Sequence, residues 1–446
     1  MMMGPLFSLL LAANTVQASS AFVLKPEWKG PCQASKIVDV NLGNTTRTFI
    51  RDCYCQIQGK EPSASFVQVW EKHLAATPNW RRVDVVRTMA KGLGHQVKLA
   101  YSDPWANDPE LPAAGPKGNH RDIGAITMFF FNCPGGVNCG MDWANNHVLG
   151  MEAPAATLAF QGKPGFYTPD QAGFWLHELR DARAAGLDFL LPNVYGPDMD
   201  KGQIQTLAQA LAVEATPVKV ALLDDTWTWG EQWFGPKWQV RPDLSDPTRA
   251  SAKLYDAKWK PFFTQIPRAS WYLVDGKPLI YFYNGGKLLP LLACANTLRR
   301  MKQRFKADFG VEPFLCADQA YFADPEMENV ADERFIWNPL NGTDTPDPIS
   351  WSHVRGKALA HAIVRWDAVG RDKPGQVAGP GDRLMKGPEK LAQILSETEH
   401  ADILVLATWN DLGEGTGLNR CYDYWYQDHW MQPDAFIQML RQAHEQ

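Results

Sequence analysis

From Gly124 onward the chain alternates between two hydrophobic periods. Continuous apolar runs of five to seven residues read as strands buried on both faces, and between them apolar residues recur at helical spacing. "AITMFFF" ends at Asn132. A helix over "TPDQAGFWLHELRDARAAG" follows, with Thr168 as N-cap, Pro169 at the first helical position, Gln171 in the capping box and Gly186 to close it. Strand "LDFLLPNVYG" comes next, then helix "IQTLAQALAVEA" and strand "VKVALL". A helix near "AKWKPFFTQI" leads to "PLIYFYNG", and helix "LLPLLACANTLRRMKQRF" to "EPFLCADQAY". "ERFIWNP" and "ALAHAIVRW" read as strands, and helix "GPEKLAQILSETEH" precedes "DILVLATWND". Eight strands separated mostly by helices predict an α/β chain folded as a closed (β/α)8 barrel over residues 121–446.

Ahead of the barrel, residues 22–120 read as an irregular, disulfide-bearing N-terminal extension with one amphipathic helix from Ser65 to about Ala75. Leu6 to Ala13 is an apolar run too short to span a bilayer, and small residues follow it. Residues 1–21 therefore read as a secretory signal peptide, and the expected location is extracellular or periplasmic. Eight cysteines fit that location. None has zinc spacing, so disulfides are the expected use, with Cys133–Cys139 as the favoured pair. Asn44-Thr45-Thr46 and Asn341-Gly342-Thr343 are glycosylation sequons.

Length and charge narrow the function. The chain has 446 residues and a formal net charge of -5, without the basic stripe that nucleic-acid binding needs. No glycine-rich nucleotide loop opens a helix, and nothing reads as a transmembrane span. A monomer without cofactor or metal is expected. Tryptophan is abundant, at 18 residues. Indole rings fill cores, and they also form flat platforms for sugar rings.

Active sites of (β/α)8 barrels lie at the C-terminal ends of the strands. Those exits carry Asn132, Asn193 and Tyr195, Asp224 and Asp225, Tyr283 and Asn284, Asp318 and Tyr321, Trp337 and Asn338, Arg365 to Asp367, and Trp409 to Glu414. Acids and amides bind hydroxyls and aromatic faces stack on rings, so the rim suits a polyhydroxylated ligand. Asp224-Asp225 also serves as a helix cap or a calcium ligand pair, and Tyr283 and Trp337 as core. No Ser-His-Asp order stands out, and His147, His177 and His361 read as ordinary packing or surface residues. Asp411 and Glu414, three apart on a glycine-rich exit, have the residue types of a general acid and base acting on a glycosidic bond.

"TWNDLGEG" resembles the strand-end motif of glycoside hydrolase family 71, the α-1,3-glucanases, and more distantly that of family 99, the endo-α-mannosidases and endomannanases. The wider likeness runs over residues 120–430 and is similar to uncharacterised secreted relatives of these enzymes. Matched by position, the resemblance assigns catalysis to Asp411 and Glu414. Glu414 would protonate the leaving oxygen, and Asp411 would activate water or a substrate hydroxyl. Asp224 and Asp225 would orient hydroxyls or support the acids. Asn193, Tyr195, Trp409, Asn410, Tyr283 and Trp337 would line the site. The sequence departs from family 71 at Gly415, where Ser is usual, and from family 99 at Asp411, where Glu is usual. Family 99 implies retention and family 71 inversion. The shorter Asp411 leaves more room for water, so inversion is the expected outcome. The expected protein is a secreted glycoside hydrolase acting on a polysaccharide or glycan, of α-glucan or α-mannan type. A non-catalytic carbohydrate-binding barrel is the alternative.

Overall fold

The computed structural model describes residues 30–39, 45–76, 82–100, 110–129, 131–132, 141–142, 159–160, 163–164, 172–194, 202–214, 216–225, 246–283, 294–337, 349–352, 357–367, 383–384, 387–411, 416–421, 425–426 and 429–446. The signal peptide, the Cys133–Cys139 pair, both sequon asparagines and His147 lie outside these residues.

The N-terminal region is more regular than its sequence suggests. Helices α1 (Thr46–Gln58), α2 (Ala64–Ala76) and α3 (Arg82–Gly92) pack beside a parallel pair, Ile37–Asp39 with Lys98–Ala100. Only α2 is among the expected elements, although α1 also carries a helical stripe of Phe49, Ile50, Cys53 and Ile57. Capping fixes where α1 starts and stops. Thr45 Oγ1 accepts from the Thr48 amide at 3.2 Å, and the Thr45 amide donates to Thr48 Oγ1 at 3.1 Å. That is a capping box with Thr in the place of Glu or Gln. Gly59 then closes the helix at a φ of 70°. Phe49, Ile50, Val67, Leu74, Val85, Val86 and Met89 form a core of their own. A Cys32–Cys55 disulfide ties the leading segment to α1. Cys294 and Cys316 are buried thiols, so the disulfides do not take all eight cysteines.

The rest is a barrel of eight parallel strands: β1 (Asp122–Thr127), β2 (Phe189–Val194), β3 (Leu222–Asp225), β4 (Lys277–Tyr283), β5 (Phe314–Asp318), β6 (Glu333–Phe335), β7 (Leu359–Ile363) and β8 (Ile403–Ala407). β1 to β6 pair in chain order, as do β7 and β8, and β8 pairs with β1 in parallel, Ile403 beside Asp122 and Leu406 beside Ala125. β2, β3, β5, β7 and β8 are buried along their whole length, as unbroken apolar runs require. Gly124 is obligatory in β1: a Cβ there would sit 2.2 Å from the Phe189 ring, which stacks on Tyr272 at 3.8 Å between centroids.

Around the strands run α4 (Ala172–Ala185), α5 (Gln203–Val213), α6 (Pro247–Leu254), α7 (Cys294–Phe309), α8 (Gly387–Glu397) and α9 (Ala435–Glu445). α6 continues through a π turn, Tyr255–Trp259, into Lys260–Gln265. Two short 3-10 turns stand for a helix between β5 and β6. The ring also has a seam. An antiparallel strand, Ile349–Ser352, pairs with β7 between β6 and β7. On the β6 side the contact is made by side chains, with Ser352 Oγ donating to the buried Glu333 carboxylate. Among the described residues no helix is long and apolar enough to cross a membrane.

Candidate active site

The exit of β8 is the most tightly tied part of the rim. Asn410 extends the β8–β1 ladder with its side chain: Oδ1 accepts from the Met128 amide at 2.6 Å, and Nδ2 donates to the Met128 carbonyl at 3.0 Å. The Trp409 amide donates to Ile126 O at 2.6 Å, and the Trp409 carbonyl accepts from the amides of Leu418 and Asn419 at 2.7 and 2.8 Å. Thr408 and Thr416 share a hydroxyl bond of 2.7 Å. The Asp411 amide donates to Thr408 Oγ1 at 2.9 Å, and its carbonyl accepts from the Thr416 amide at 3.1 Å. Asp411 is therefore held on both sides of its peptide, and it is buried. Glu414 lies outside the described residues, as does Tyr195.

Next around the ring come β1, β2 and β3. Asn193 Nδ2 donates to Asp225 Oδ2 and contacts Met128 Sδ, both at 3.2 Å. Met128 thus touches Asn410 on one side and Asn193 on the other. Side chains of a strand alternate between faces, so Asp224 and Asp225 part company. Asp225 meets Asn193. Asp224 turns to the helix layer, where Lys258 Nζ donates to Oδ1 at 2.9 Å and Trp259 Nε1 to Oδ2 at 2.8 Å. All three side chains are fully buried or nearly so. The same ammonium donates to the carbonyls of Val194, at 3.0 Å, and Asp225.

Two expectations are corrected by this geometry. Asp224 does not orient a ligand, because both its oxygens are spent on Lys258 and Trp259. Asn410 does not line the site either, because both ends of its amide are spent on the Met128 peptide, where it splices β8 to the end of β1; Trp409 is buried beside it.

The rest of the rim is aromatic, and it begins with Tyr283 in register beside Asp225. Tyr283 of β4 and Trp337, just past β6, are half-buried and stack at 4.2 Å with planes 27° apart. His361 of β7 lies beneath them, fully buried, with Nε2 3.2 Å from the Trp337 carbonyl. A carbonyl only accepts, so Nε2 carries the proton. Burial pushes this imidazole down to about 4. Asp318 faces neither half, since its Oδ1 caps the following 3-10 turn through the Ala320 amide at 2.8 Å.

Sequence reasoning missed Lys258, Met128, the Thr408–Thr416 clasp and Arg420. Arg420 is fully buried and bonded to Asp181 of α4. Only the Lys-Trp pair after an amphipathic helix hinted at any of them. Among the described residues the single group with metal-ligand spacing is Cys32, Cys55 and Glu61, and its cysteines are disulfide-bonded.

Residues 135–445 match the family described as "Domain of unknown function (DUF5010)". No curated protein matches the sequence. The endo-α-mannosidase of glycoside hydrolase family 99 from Bacteroides thetaiotaomicron, in complex with bis-tris-propane, is 11% identical, with a TM-score of 0.49 over 72% of this chain and 95% of that one. A structure described as a glycoside hydrolase-like protein is 14% identical, with a TM-score of 0.47 over 77% of this chain and 98% of that one. Likeness of that degree leaves the chemistry to the geometry of the site.

Proposed function

The chain belongs to the DUF5010 family, and we propose that it is a secreted glycoside hydrolase acting on a polysaccharide or glycan of α-glucan or α-mannan type. The observation that carries this reading is the division of the barrel mouth. The arc from β8 through β1 and β2 to β3 carries the polar Asp411, Asn193 and Asp225, and the ends of β4 and β6 carry the stacked Tyr283 and Trp337, with Tyr283 in register beside Asp225. A sugar ring has the matching division, with hydroxyls around its edge and an apolar face. Secretion is supported by the leader-like residues 1–21 and by the Cys32–Cys55 disulfide.

In this reading Asp411 is the base and Glu414 the acid. Glu414 gives its proton to the glycosidic oxygen as the bond to the anomeric carbon breaks. Asp411 takes a proton from the water that adds to that carbon from the opposite face. Burial limits bulk water at the Asp411 carboxylate, and two backbone bonds fix the stretch of chain from which it extends. The Asn193–Asp225 pair receives substrate hydroxyls, with Asn193 held in register by Met128. Lys258 and Asp224 brace the strand ends that present the pair.

Release of reducing ends from a panel of α-glucans and α-mannans, wild type beside Asp411→Asn, tests the reading. Activity lost in the variant supports it. Binding without release by the wild type would identify a carbohydrate-binding barrel instead. Inversion needs room for a water, with carboxyls about 6.5–9.5 Å apart. Proton NMR of the first product, taken before mutarotation, is expected to give the anomer opposite to the substrate linkage; the same anomer would mean retention.

A further inference from the structure

The loop that follows Asp411 runs into a buried ionic group that the proposed chemistry does not use. α4 contributes His177 and Asp181, one turn apart, and the loop contributes Arg420. Arg420 Nε donates to Asp181 Oδ2 at 2.6 Å, and Nη2 donates to His177 Nδ1 at 3.0 Å. A guanidinium only donates, so Nδ1 accepts and the imidazole proton sits on Nε2, 3.4 Å from Asp181 Oδ2. All three side chains are buried.

Such a group is a costly way to fill space, because an apolar pair of similar volume is often as stable or more so. The planar guanidinium fork offers something an apolar contact lacks: it fixes direction as well as distance. What it fixes can be followed residue by residue. Asn419 and Leu418, immediately before Arg420, bond to the Trp409 carbonyl. Thr416 bonds to Thr408 through its hydroxyl and to the Asp411 carbonyl through its amide, and Thr408 in turn holds the Asp411 amide. The route from the Arg420 fork to the Asp411 backbone runs through hydrogen bonds between described residues, and it crosses from the helix layer to the strand exit.

We propose that Arg420, clamped by Asp181 and His177 of α4, is a positioning residue for Asp411. It acts through the Thr416–Asn419 segment and sets where the carboxylate stands at the β8 exit. The inference rests on the reading of Asp411 as the base that activates water at a glycosidic bond.

The test uses the full chain and two variants. Arg420→Met combined with Asp181→Leu removes both charges together and is expected to fold with a melting temperature near that of wild type. Its kcat on the polysaccharide cleaved by wild type should fall at least tenfold, while KM stays within about threefold. Arg420→Lys keeps a charge for Asp181 but loses the fork, and should lose about fivefold in kcat. Hydrogen exchange is read alongside, and the Leu418 and Asn419 amides should exchange at least tenfold faster in the double variant. A folded double variant with wild-type kcat would overturn the proposal, because a merely structural pair would be replaced without loss. Unchanged exchange at Leu418 and Asn419 would overturn it too, whatever the activity. Should the wild type cleave nothing, the hydrolase reading fails by itself and the exchange measurement still decides whether Arg420 holds the segment.

Discussion

Lys258→Met is the sharpest test of how the strand ends are braced. The substitution keeps most of the side-chain stem and removes an ammonium that makes three bonds in a fully buried place. Asp224 keeps its bond from Trp259 Nε1 and loses its ion partner, while the carbonyls of Val194 and Asp225 lose a donor. Breaking a buried pair by removing one partner destabilises by about 3–5 kcal/mol. Two buried carbonyls left short of a donor, at roughly 1 kcal/mol each, push the expectation to the upper end of that range. For a cooperative unit of ~300 residues, at about 2 cal/mol/K per residue, the melting temperature falls by roughly 5–8 °C. Adding Asp224→Leu removes the stranded charge but leaves the two carbonyls and Trp259 Nε1 short of partners, so the double variant should recover only about 1–2 kcal/mol of the loss. Urea unfolding followed by tryptophan fluorescence, with calorimetry for the melting temperature, measures both. The reasoning fails if the single variant stays within about 1 kcal/mol of wild type, or if the double variant is no more stable than the single one.

Asp411→Asn and Glu414→Gln should each fold and lose roughly 10³-fold in turnover on the cleaved substrate, as expected for paired acid and base; near-wild-type rates in either would remove it from the mechanism. His361 is neutral in the fold down to about 4, whereas unfolded chains protonate near 6.5. The unfolded state therefore binds the extra proton first. The stability is complete above about 6.5 and drains away as pH falls towards 4, by roughly 3 kcal/mol in all. Chemical denaturation at pH 7 and 4.5 should show a steeper loss for wild type than for His361→Gln, and parallel losses would contradict the burial of a neutral imidazole. The Cys32–Cys55 link closes a loop of 23 residues; replacing both by Ala should destabilise the helical unit around α1 by about 3 kcal/mol. Alkylation after unfolding without reductant should label Cys294 and Cys316, and protection of both would refute their assignment as thiols.

The barrel was legible because its strands are buried on both faces. Runs such as "DILVLA" and "FLLPNV" have no other stable place in a chain of this kind, and the helices between them dictate parallel pairing. Boundaries shifted where a carbonyl or cap decides them, as at β1, which stops at Thr127 rather than Asn132. The site was legible by residue type but not by direction. Asp224 and Asp225 are neighbours in sequence, and only the pleat and Lys258, more than thirty residues on, determine which of them faces Asn193. Asn410 was chosen as a polar group beside two acids, yet its amide is consumed by the Met128 peptide, 282 residues away in sequence. Arg420 could not be foreseen, since its partners His177 and Asp181 lie 243 and 239 residues earlier in sequence. α1 was legible in its stripe of Phe49, Ile50, Cys53 and Ile57 but was missed among the Pro- and Gly-rich stretches around it.

The seam between β6 and β7 also bears on how such a chain can change over time. Elsewhere around the circle each strand meets its neighbour through a backbone ladder, so adding or losing a residue shifts a whole register. At the seam the join to β6 is a Ser352–Glu333 handshake between side chains, which point substitutions can dissolve and remake. Length variation entering there is absorbed by one short antiparallel strand. The seam lies across the ring from β2 and β3, the strands that present Asn193 and Asp225. The fold thus separates a place where drift is cheap from the place where fractions of an ångström matter.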